Sequence, residues 1–252
     1  EIGEDTVPEP EPEPEPVPEF APAPAPAPEP EPEPAPEPAP ILRSDLEARV
    51  PGAGPRPIAY WKLDEPAGAT AADEMGAHPG QVIGNPEDAN ASFQSVAEFD
   101  GIDDYIRIPA APGLMVRDGA LTVWFSAYAT GSATIAAKGS PGETGSFALQ
   151  IHDAKLQVLM RGPDADHVID AGAFGANEWN QTTVTWGAGG MKAYLNGVPA
   201  GSGEYTGGLE DNNGPWTFGA TDTGDGGGYF HGELDDIALY AEPLSDAEAN
   251  DL

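Results

Sequence analysis

Proline occupies almost every second position between Pro8 and Pro40, and glutamate or alanine fills most of the positions between. Because proline has no amide hydrogen and pushes the residue before it towards extended angles, neither a helix nor a sheet ladder can propagate here. The pattern predicts a disordered, polyproline II-like spacer, stiffened by repulsion among its glutamates and on the order of 100 Å long. A solvated linker with no required length is the alternative interpretation.

Charge and proline content divide the chain at Arg56. Residues 1–56 carry a net charge of −11 and 18 of the 29 prolines, so they cannot bury enough apolar surface to offset the entropy lost on folding. Residues 57–252 are long enough for one sizeable domain. The sequence thus predicts an acidic proline-rich spacer over 1–56 and a globular domain over 57–252. Within the spacer, Ile41 to Val50 is expected to form a short helical turn.

The composition excludes several classes of function. The formal net charge of −33 makes a phosphate backbone an unfavourable partner, so nucleic acid is not expected. No apolar run approaches the length of a membrane span, so no membrane insertion is expected. The absence of cysteine removes disulfides, thiol nucleophiles and cysteine metal sites. A bound metal must therefore rely mainly on oxygen ligands, because the four histidines are scattered along the chain.

The globular part consists of short apolar stretches separated by glycine, proline, asparagine and aspartate. Several stretches alternate with a period of two residues, as in FALQIH, which indicates strands with one buried and one freer face. Since no long helical pattern is present, the predicted fold is an all-β sandwich of antiparallel strands. The predicted strands are 58–63, 97–100, 105–108, 121–129, 134–139, 147–152, 156–160, 179–186, 191–197, 216–220 and 233–240.

Turn and cap residues agree with this prediction. Gly189-Gly190 is a predicted hairpin tip, and so is Asn196-Gly197, whose Asn-Gly pair is the strongest short hairpin signal. Near the end of the chain, Ser245 is followed three residues later by a glutamate, which predicts a capping box and one short helix.

Taken in order, these segments resemble a laminin-G-like, concanavalin A-like jelly-roll domain over residues 58–252. The resemblance rests on FDGIDDYI, on WNQTTVTW followed by YLNG, and on the closing GELDDIALYAEPLS. It implies two antiparallel sheets, one of them concave, with both ends of the domain in neighbouring strands. It also implies a module of a secreted or surface multidomain protein that binds carbohydrate or matrix.

The resemblance further implies a structural calcium ion where the first strand, the FDG turn and the last strand meet. Its expected ligands are a carboxylate of Asp235, the carbonyl of Gly101, and Asp64 or a carbonyl beside it. The alternative is that Asp235 caps turn amides and that Gly101 supplies a positive φ. A second cation held by Asp222 and Asp225 is a further hypothesis.

An enzymatic site is not expected. Jelly-roll glycoside hydrolases carry Glu-x-Asp-x-(x)-Glu on one strand, with the acid and the nucleophile about 5–5.5 Å apart. The nearest match, from Glu233 to Asp236, lies in the last strand and lacks the third acid. Gln150-Ile151-His152 resembles a strand of alginate lyases, but the arginine-rich strand and the Tyr-Phe-Lys-Ala-Gly stretch of that class are missing. A polysaccharide-active enzyme is therefore the weakest alternative.

Aromatic side chains and nearby amides are the candidates for ligand binding. The tryptophans predicted to pack between the sheets are Trp61, Trp179 and Trp186. The predicted ligand-binding residues of the concave face are Trp124, Tyr128, Gln150 and His152, and those of the loop rim are Trp216 and Tyr229. The favoured interpretation is a non-catalytic binding or adhesion module that recognises a glycan or an extracellular or surface protein.

A purely structural stalk domain with no ligand beyond calcium is the alternative to a binding module. Because the chain opens at Glu1 on a spacer and shows no leader, the domain is expected to belong to a longer multidomain chain. Its expected location is the cell surface or the extracellular space.

Overall fold

The computed structural model describes residues 55–65, 70–84, 87–88, 96–221 and 228–252. The predicted spacer, the helical turn at 41–50, and Asp222 and Asp225 lie outside these residues. Within them the chain is nearly all β, in two antiparallel sheets, which confirms the predicted sandwich. No helix in this part of the chain combines the length and the apolar character needed to cross a membrane.

The described residues form fifteen strands and one α-helix, and a short 3-10 turn at Pro112–Leu114 follows the fifth strand. Eleven of the strands coincide with predicted ones, whereas β2, β3, β10 and β13 do not. The elements are β1 (Ala59–Trp61), β2 (Gln81–Ile83), β3 (Glu87–Asp88), β4 (Ala97–Asp100), β5 (Tyr105–Ile108), β6 (Gly119–Ala127), β7 (Ala133–Lys138), β8 (Phe147–His152), β9 (Lys155–Arg161), β10 (Asp166–Ala173), β11 (Asn180–Gly187), β12 (Gly190–Leu195), β13 (Val198–Gly203), β14 (Trp216–Phe218), β15 (His231–Tyr240) and α1 (Asp246–Asp251).

In each sheet, strands from the beginning of the domain lie next to strands from its end. The first sheet has the order β13-β12-β11-β6-β15-β4-β3, and β1 also pairs with β15. The second sheet has the order β10-β9-β8-β7-β14-β5-β2. Ala59 pairs with Leu239 and Trp61 pairs with Ile237, so the first and last strands of the domain are neighbours, as expected from the sequence.

The apolar core lies between the two sheets. Leu121 and Val123 of β6 enter it from the first sheet, and Leu149 and Ile151 of β8 enter it from the second, as their alternation predicts. Full burial of side chains of this size contributes about 1.5–3 kcal/mol each. The core therefore fixes which residues of each strand remain on the two outer faces.

Aromatic rings occupy the centre of the core. Trp61 and Trp186 are fully buried there, as predicted, and the ring of Trp61 meets Phe218 edge-on with the centroids 5.1 Å apart. Trp179 is only half-buried, lies outside the core cluster, and immediately precedes Asn180, the first residue of β11. The prediction that Trp179 packs between the sheets is therefore corrected.

Both predicted hairpin tips are present in the structure, and one of them is shifted by one residue. Asn196 and Gly197 form the tip between β12 and β13, both with positive φ. The other hairpin tip lies one residue earlier than predicted, and Gly190 is already the first residue of β12. The capping box is present: the Ser245 hydroxyl accepts from the N–H of Glu248, whose carboxylate accepts from the N–H of Ser245.

Helix α1 lies against the outer face of the first sheet. A small apolar cluster forms there from Ala120, Ala238, Tyr240 and Leu244. The Asp246 carboxylate accepts from Lys192 at 2.6 Å and from the Tyr194 hydroxyl at 2.7 Å, both on β12. The helix is thus attached to the sheet by apolar packing and by one ionic contact.

Candidate ligand-binding faces and cation site

The predicted ligand-binding residues divide between opposite sides of the sandwich. β6 of the first sheet points Trp124 away from the core, whereas β8 of the second sheet points Gln150 and His152 away from it on the other side. We call the outer face around Gln150, His152 and Gln157 the Gln150 face, and the outer face around Trp124 the Trp124 face. Because the two strands belong to different sheets, the prediction of one shared face is corrected.

The Trp124 face is tightly packed and acidic. Trp124 is only 5% exposed, and it lies between its cross-strand partners Gln181 of β11 and Asp235 of β15. Nearby, Glu98 of β4 is directly opposite Glu233 of β15. Since little of the Trp124 ring reaches the surface, it offers little area for stacking against a ligand.

Tyr128 belongs to the acidic part of the same face. Its hydroxyl is hydrogen-bonded to Glu98 and Glu233, and burial, followed by the charges of these two carboxylates, raises the pKa of Tyr128. The ring of His231 packs edge-on against Tyr128, with the centroids 5.4 Å apart. The hydroxyl therefore stays protonated and stabilises two opposed carboxylates, which gives Tyr128 a structural contact on this face.

The Gln150 face presents polar side chains that lie opposite one another on neighbouring strands. Gln150 pairs with Thr134 of β7 on one side and with Gln157 of β9 on the other. Both glutamines are half-buried, whereas His152 is exposed and its Nδ1 lies 3.5 Å from the Ser132 hydroxyl. Amide, hydroxyl and imidazole groups together supply donors and acceptors for the hydroxyls of a sugar.

Two tyrosines border the Gln150 face. Tyr105 of β5 precedes the core residue Ile106 and points outward, and the ring of Tyr229 lies 6.4 Å from it at a tilt of 47°. In the neighbouring row of the same face, Thr217 pairs with Arg107 of β5 on one side and with Ala137 of β7 on the other, and the side chains of Thr217 and Ala137 are small and buried. This row is a low floor beside the glutamines, and the position of Tyr229 at a loop rim stays a prediction, because residues 222–227 lie outside the described residues.

Trp216 does not lie at the loop rim. It is 1% exposed and is the first residue of β14, which runs between β5 and β7 inside the second sheet. Its ring centroid lies 5.5 Å from that of Phe147 in the core. The rim prediction is corrected, because the residue that follows the loop already occupies an inward position of the strand.

Two of the predicted calcium ligands, Asp64 and Asp235, act on Tyr60 where β1 passes β15. The pKa of Tyr60 is raised by burial, then by Asp236, and further by the charges of Asp235 and Asp64. Asp236 accepts a hydrogen bond from the Tyr60 hydroxyl, and burial, together with the charge of Asp64, raises the pKa of Asp236. One carboxylate, that of Asp236, therefore contacts this tyrosine, and the charges of two predicted metal ligands, Asp64 and Asp235, act on it as well.

A bulge in β15 brings Asp236 into the cluster. Between Asp235 and Ala238 the register of β15 against β6 shifts, and Asp236 has a φ of +46°. The N–H of Asp236 donates to Asp235 Oδ1 at 3.0 Å. Strict alternation would place the two aspartates on opposite faces, so sequence reasoning missed Asp236. The one available signal is the residue type, since aspartate tolerates positive φ better than most residues.

Gly101 lies away from this cluster. A Cβ at Gly101 would lie 2.8 Å from the Cβ of His231, which comes four residues before Asp235 on β15. At about 3.3 Å per residue, the separation along the strand is roughly 13 Å. Gly101 has a φ of +79° and forms a turn. In that turn a different set of carboxylate oxygens lies within 4.8 Å of one another, from Asp100, Asp103 and Asp104.

Both acidic groups already use carboxylate oxygens as hydrogen-bond acceptors. In the turn, Asp100 Oδ1 accepts from the N–H of Ile102 at 2.7 Å, and Asp104 Oδ2 accepts from the N–H of Asp100 at 3.1 Å. In the group of Asp64, Asp235 and Asp236, the Oδ1 atom of Asp235 accepts from the N–H of Asp236 at 3.0 Å, and Asp236 accepts from the Tyr60 hydroxyl. Of the described residues, only the turn brings three carboxylate oxygens within 4.8 Å of one another. Such a partly buried oxygen set has the chemistry that a hard cation requires.

Known proteins match this chain in family and in fold. The family model described as the concanavalin A-like lectin/glucanases superfamily matches residues 100–250. No curated protein matches the chain in sequence. Domain 4 of AbnA, a GH43 extracellular arabinanase from Geobacillus stearothermophilus solved with arabinotriose, has a TM-score of 0.64 at 19% identity, and the match covers 78% of this chain and 97% of that one.

Two larger proteins contain the same fold as a part. The binding domain of botulinum neurotoxin DC, solved with rat synaptotagmin II, has a TM-score of 0.61 at 17% identity, covering 77% of this chain and 50% of that one. A Trypanosoma rangeli sialidase, solved with 2,3-difluorosialic acid, has a TM-score of 0.59 at 13% identity, covering 81% and 33%. At these identities the similarity concerns the fold, on which both binding domains and enzymes are built.

Proposed function

The chain belongs to the concanavalin A-like lectin/glucanases superfamily, and on that basis we propose that its sandwich is a non-catalytic module that binds carbohydrate through the Gln150 face. The observation that carries the proposal is the row formed by Gln150 and Gln157, beside a floor of small side chains and two marginal tyrosines. Sugar binding requires both features, because hydroxyls need paired donors and acceptors and the apolar faces of the ring need a flat contact.

The carboxylates of this face support a non-catalytic role. Those that the described strands place there, Asp166 and Asp170, lie on the edge strand β10. Asp166 is ion-paired with Arg161 at 3.3 Å, and Asp170 with Lys155 at 2.8 Å. Glycoside hydrolysis uses two carboxylates on either side of the scissile bond, one of them a proton donor. Carboxylates paired with bases at the sheet margin do not have that arrangement.

We also propose a structural calcium ion held by Asp64 and Asp235, with Asp236 as a third carboxylate. The ion would connect β1 to β15 and offset the repulsion among these groups. Its role would be to stabilise the pairing of the first and last strands. The Gln150 face lies on the other side of the sandwich, so this ion would have no direct contact with a sugar there.

The proposed setting is the extracellular space or the cell surface. The neighbour from G. stearothermophilus is a domain of an extracellular arabinanase that was solved with a sugar, and the neurotoxin domain was solved with a protein partner. Either kind of partner suits a module that follows a long acidic spacer in a multidomain chain. We favour a glycan, because the Gln150 face is polar and the exposed His152 is its least buried member.

A glycan array probed with the full chain tests the proposal. We expect reproducible binding to at least one glycan, and loss of that binding in the double variant Gln150→Ala/Gln157→Ala. The matched control is Ser202→Ala, which alters an exposed polar residue of the first sheet. A blank array would favour the structural stalk instead, and release of reducing sugar ends from a polysaccharide would show an enzyme.

A further inference from the structure

The side chains of the Trp124 face are buried although they point away from the core. Gln181 is 2% exposed and Asp235 is 3% exposed. Helix α1 lies over β12, where Asp246 accepts from Lys192. Neighbouring strands are about 4.8 Å apart, so β15, the third strand from β12, is roughly 14 Å away. A helix is only about 10–12 Å wide, so α1 does not account for the burial of Asp235, and this face calls for a second cover.

One buried side chain of this face lacks a hydrogen-bond donor. The Nε2 atom of Gln181 donates to the Thr183 hydroxyl at 2.7 Å, but its Oε1 atom accepts no hydrogen bond from any residue that the structure describes. Trp124 separates Gln181 from the carboxylate of Asp235, and the carboxylate of Glu233 lies on the same face. Because a buried acceptor is costly when it is left unpaired, the cover should bring a donor. The carboxylates favour a positively charged donor, such as a guanidinium.

The other end of the Trp124 face is apolar. The cluster of Ala120, Ala238, Tyr240 and Leu244, against which Tyr60 and Leu252 pack, forms what we call the apolar patch. Ala120 and Trp124 are both in β6, so the patch and the row of Trp124 are roughly 13 Å apart along the strand. A matching cover is therefore apolar near the patch and carries a basic group towards Trp124.

Residues 41–50, ILRSDLEARV, have this pattern in their sequence. At about 100° per residue in a helix, three apolar side chains form one stripe. They are Leu42, Leu46 and Val50. Arg43 and Arg49 border the stripe on its two sides, and Arg43 is the first basic residue of the chain. Ser44 and Glu47 have the spacing of a capping box. Ten helical residues are about 15 Å long, which matches the distance from the apolar patch to Trp124.

The chain enters β1 next to the apolar patch. The N–H of Ile58 donates to the carbonyl of Leu239 at 2.7 Å, and Leu239 precedes Tyr240 of the patch. Residues 51–57, PGAGPRP, connect Val50 to Ile58 and reach at most roughly 25 Å when extended. Their glycines and prolines allow the chain to reverse direction. The connection is therefore long enough to place Val50 over the patch with the rest of the segment directed towards Trp124.

We propose that residues 41–50 dock on the Trp124 face as an amphipathic helix. The apolar stripe packs on the apolar patch and on the ring of Trp124, and Arg43 supplies the donor that Oε1 of Gln181 lacks. The docked segment closes this face to other partners and leaves the Gln150 face, on the other side of the sandwich, as the open one. The inference does not depend on sugar binding by the Gln150 face, and either proposal can fail without the other.

A single spin label tests the docking, because the chain has no cysteine of its own. In Ala48→Cys, a nitroxide is attached opposite the apolar stripe. In the NMR spectrum of the full ¹⁵N-labelled chain, we expect it to broaden the amides of 122–126 and 181–183 more than those of 148–152 on the Gln150 face. Adding Leu46→Asp should abolish this difference. The matched control is Ser44→Asp, which adds the same charge away from the stripe and should preserve it.

The arginine contact has its own variant. Arg43→Gln should reduce the broadening of 181–183 by at least half. Arg56→Gln, at an exposed arginine outside the segment, is the control and should leave the broadening unchanged. Equal effects of the two variants would contradict the contact between Arg43 and Gln181.

Two further results would overturn the inference. If the label broadens the two faces equally or not at all, residues 41–50 do not dock on the Trp124 face. A mixture of spin-labelled chain with ¹⁵N-labelled chain that lacks the spin label detects a second copy as the cover. Broadening of 122–126 in that mixture, as strong as in the singly labelled chain, would show that the segment docks on another molecule.

Discussion

The Nζ atom of Lys138 lies 3.0 Å from the carbonyl oxygen of Asn212, and the Lys138 side chain is fully buried. A buried ammonium is costly unless its hydrogen-bonding capacity is used, and here it also donates to the carbonyl of Gly214. β7 is thereby attached to the 212–214 segment that precedes β14. Removing the ammonium should therefore affect that segment more than the rest of the domain.

Lys138→Met should leave two carbonyls without their donor, which lowers the free energy of unfolding by about 1–3 kcal/mol. The clearer signature is local: hydrogen exchange at the amides of 212–214 should become faster while the centres of β6 and β11 keep their protection. Lys155→Met, at an exposed lysine, is the control and should leave those amides unchanged. Unaltered exchange at 212–214 in Lys138→Met would show that the ammonium does not hold this segment in place.

Asp73 organises the connection after β1 with both carboxylate oxygens. Oδ1 accepts from the N–H groups of Tyr60 and Met75, and Oδ2 accepts from those of Ala77 and His78, all between 2.9 and 3.1 Å. In Asp73→Asn one oxygen becomes a donor, so two backbone amides lose their acceptor, at a cost of about 2–4 kcal/mol in the free energy of unfolding.

Urea unfolding of Asp73→Asn measures this cost, with the neighbouring exposed Glu74→Gln as the control. A local readout is available because the carbonyl of His78 accepts from the indole N–H of the core residue Trp61 at 2.8 Å. We therefore expect the tryptophan fluorescence of the folded state to change as well. Equal stability of the two variants would contradict the role assigned to Asp73.

Millimolar calcium should raise the melting temperature if Asp64 and Asp235 hold an ion. At a free calcium concentration of one hundred times the dissociation constant the gain is about 2.7 kcal/mol, or roughly 5–10 °C for a domain of this size. Differential scanning calorimetry with calcium and with a chelator measures it. The shift should vanish in Asp235→Asn.

The turn that contains Gly101 provides the control for the calcium experiment. Asp100→Asn should preserve the calcium-dependent shift, because Asp100 belongs to the other acidic group. If Asp100→Asn abolishes the shift and Asp235→Asn preserves it, the ion belongs to the turn. Identical melting curves with calcium and with chelator would rule out a stabilising ion at either place.

Acid should loosen helix α1. The hydrogen bond from Lys192, followed by that from Tyr194, lowers the pKa of Asp246, and the bond from Ser245 lowers the pKa of Glu248. A lowered folded-state pKa contributes stability above the unfolded value, about 3.9 for Asp and 4.3 for Glu, and this contribution is lost as the pH falls through the folded value. The contact between Lys192 and Asp246 is exposed, so we expect acid to loosen the helix locally and not to unfold the domain.

Amide exchange across α1 between pH 6 and pH 3 measures the loosening. We expect protection of the amide of Ala249 to fall at the acid end. In Asp246→Asn the protection of this amide should already be weak at pH 6, and it should fall less on acidification than in the unmodified chain. Acid-insensitive protection in the unmodified chain would contradict the ionic attachment of the helix.

The sequence predicted the strands that alternate and missed those that do not. Leu121 and Leu149 lie inward in β6 and β8 as the period of two requires. The edge strand β13 reads VPAGSG, with Pro199 and two glycines in place of an apolar row, and it is recognisable only through its pairing with β12. β10 has few inward apolar residues, among them Ile169, and is likewise an edge.

The candidate sites were harder to predict, because they depend on how strands from distant parts of the chain are assembled. Parity correctly separates Trp124 from its core neighbours, but only the sheet order shows that Gln150 is on the opposite side of the sandwich. Alternation cannot show the bulge that brings Asp236 beside Tyr60. A lysine at the end of a strand usually reaches solvent, so the buried position of Lys138 has no sequence signal.

The pairing of β1 with β15 has a mechanical consequence. The two strands are antiparallel, and the N–H of Ile58 donates to the carbonyl of Leu239 at 2.7 Å, beside the Ala59–Leu239 pair. Tension applied to the chain before Pro57 and after Tyr240 would act on the same end of this ladder. It would open the rungs one at a time, beginning with that pair, instead of shearing all of them together. Under load, the first strand should peel away before the sandwich itself bears the force.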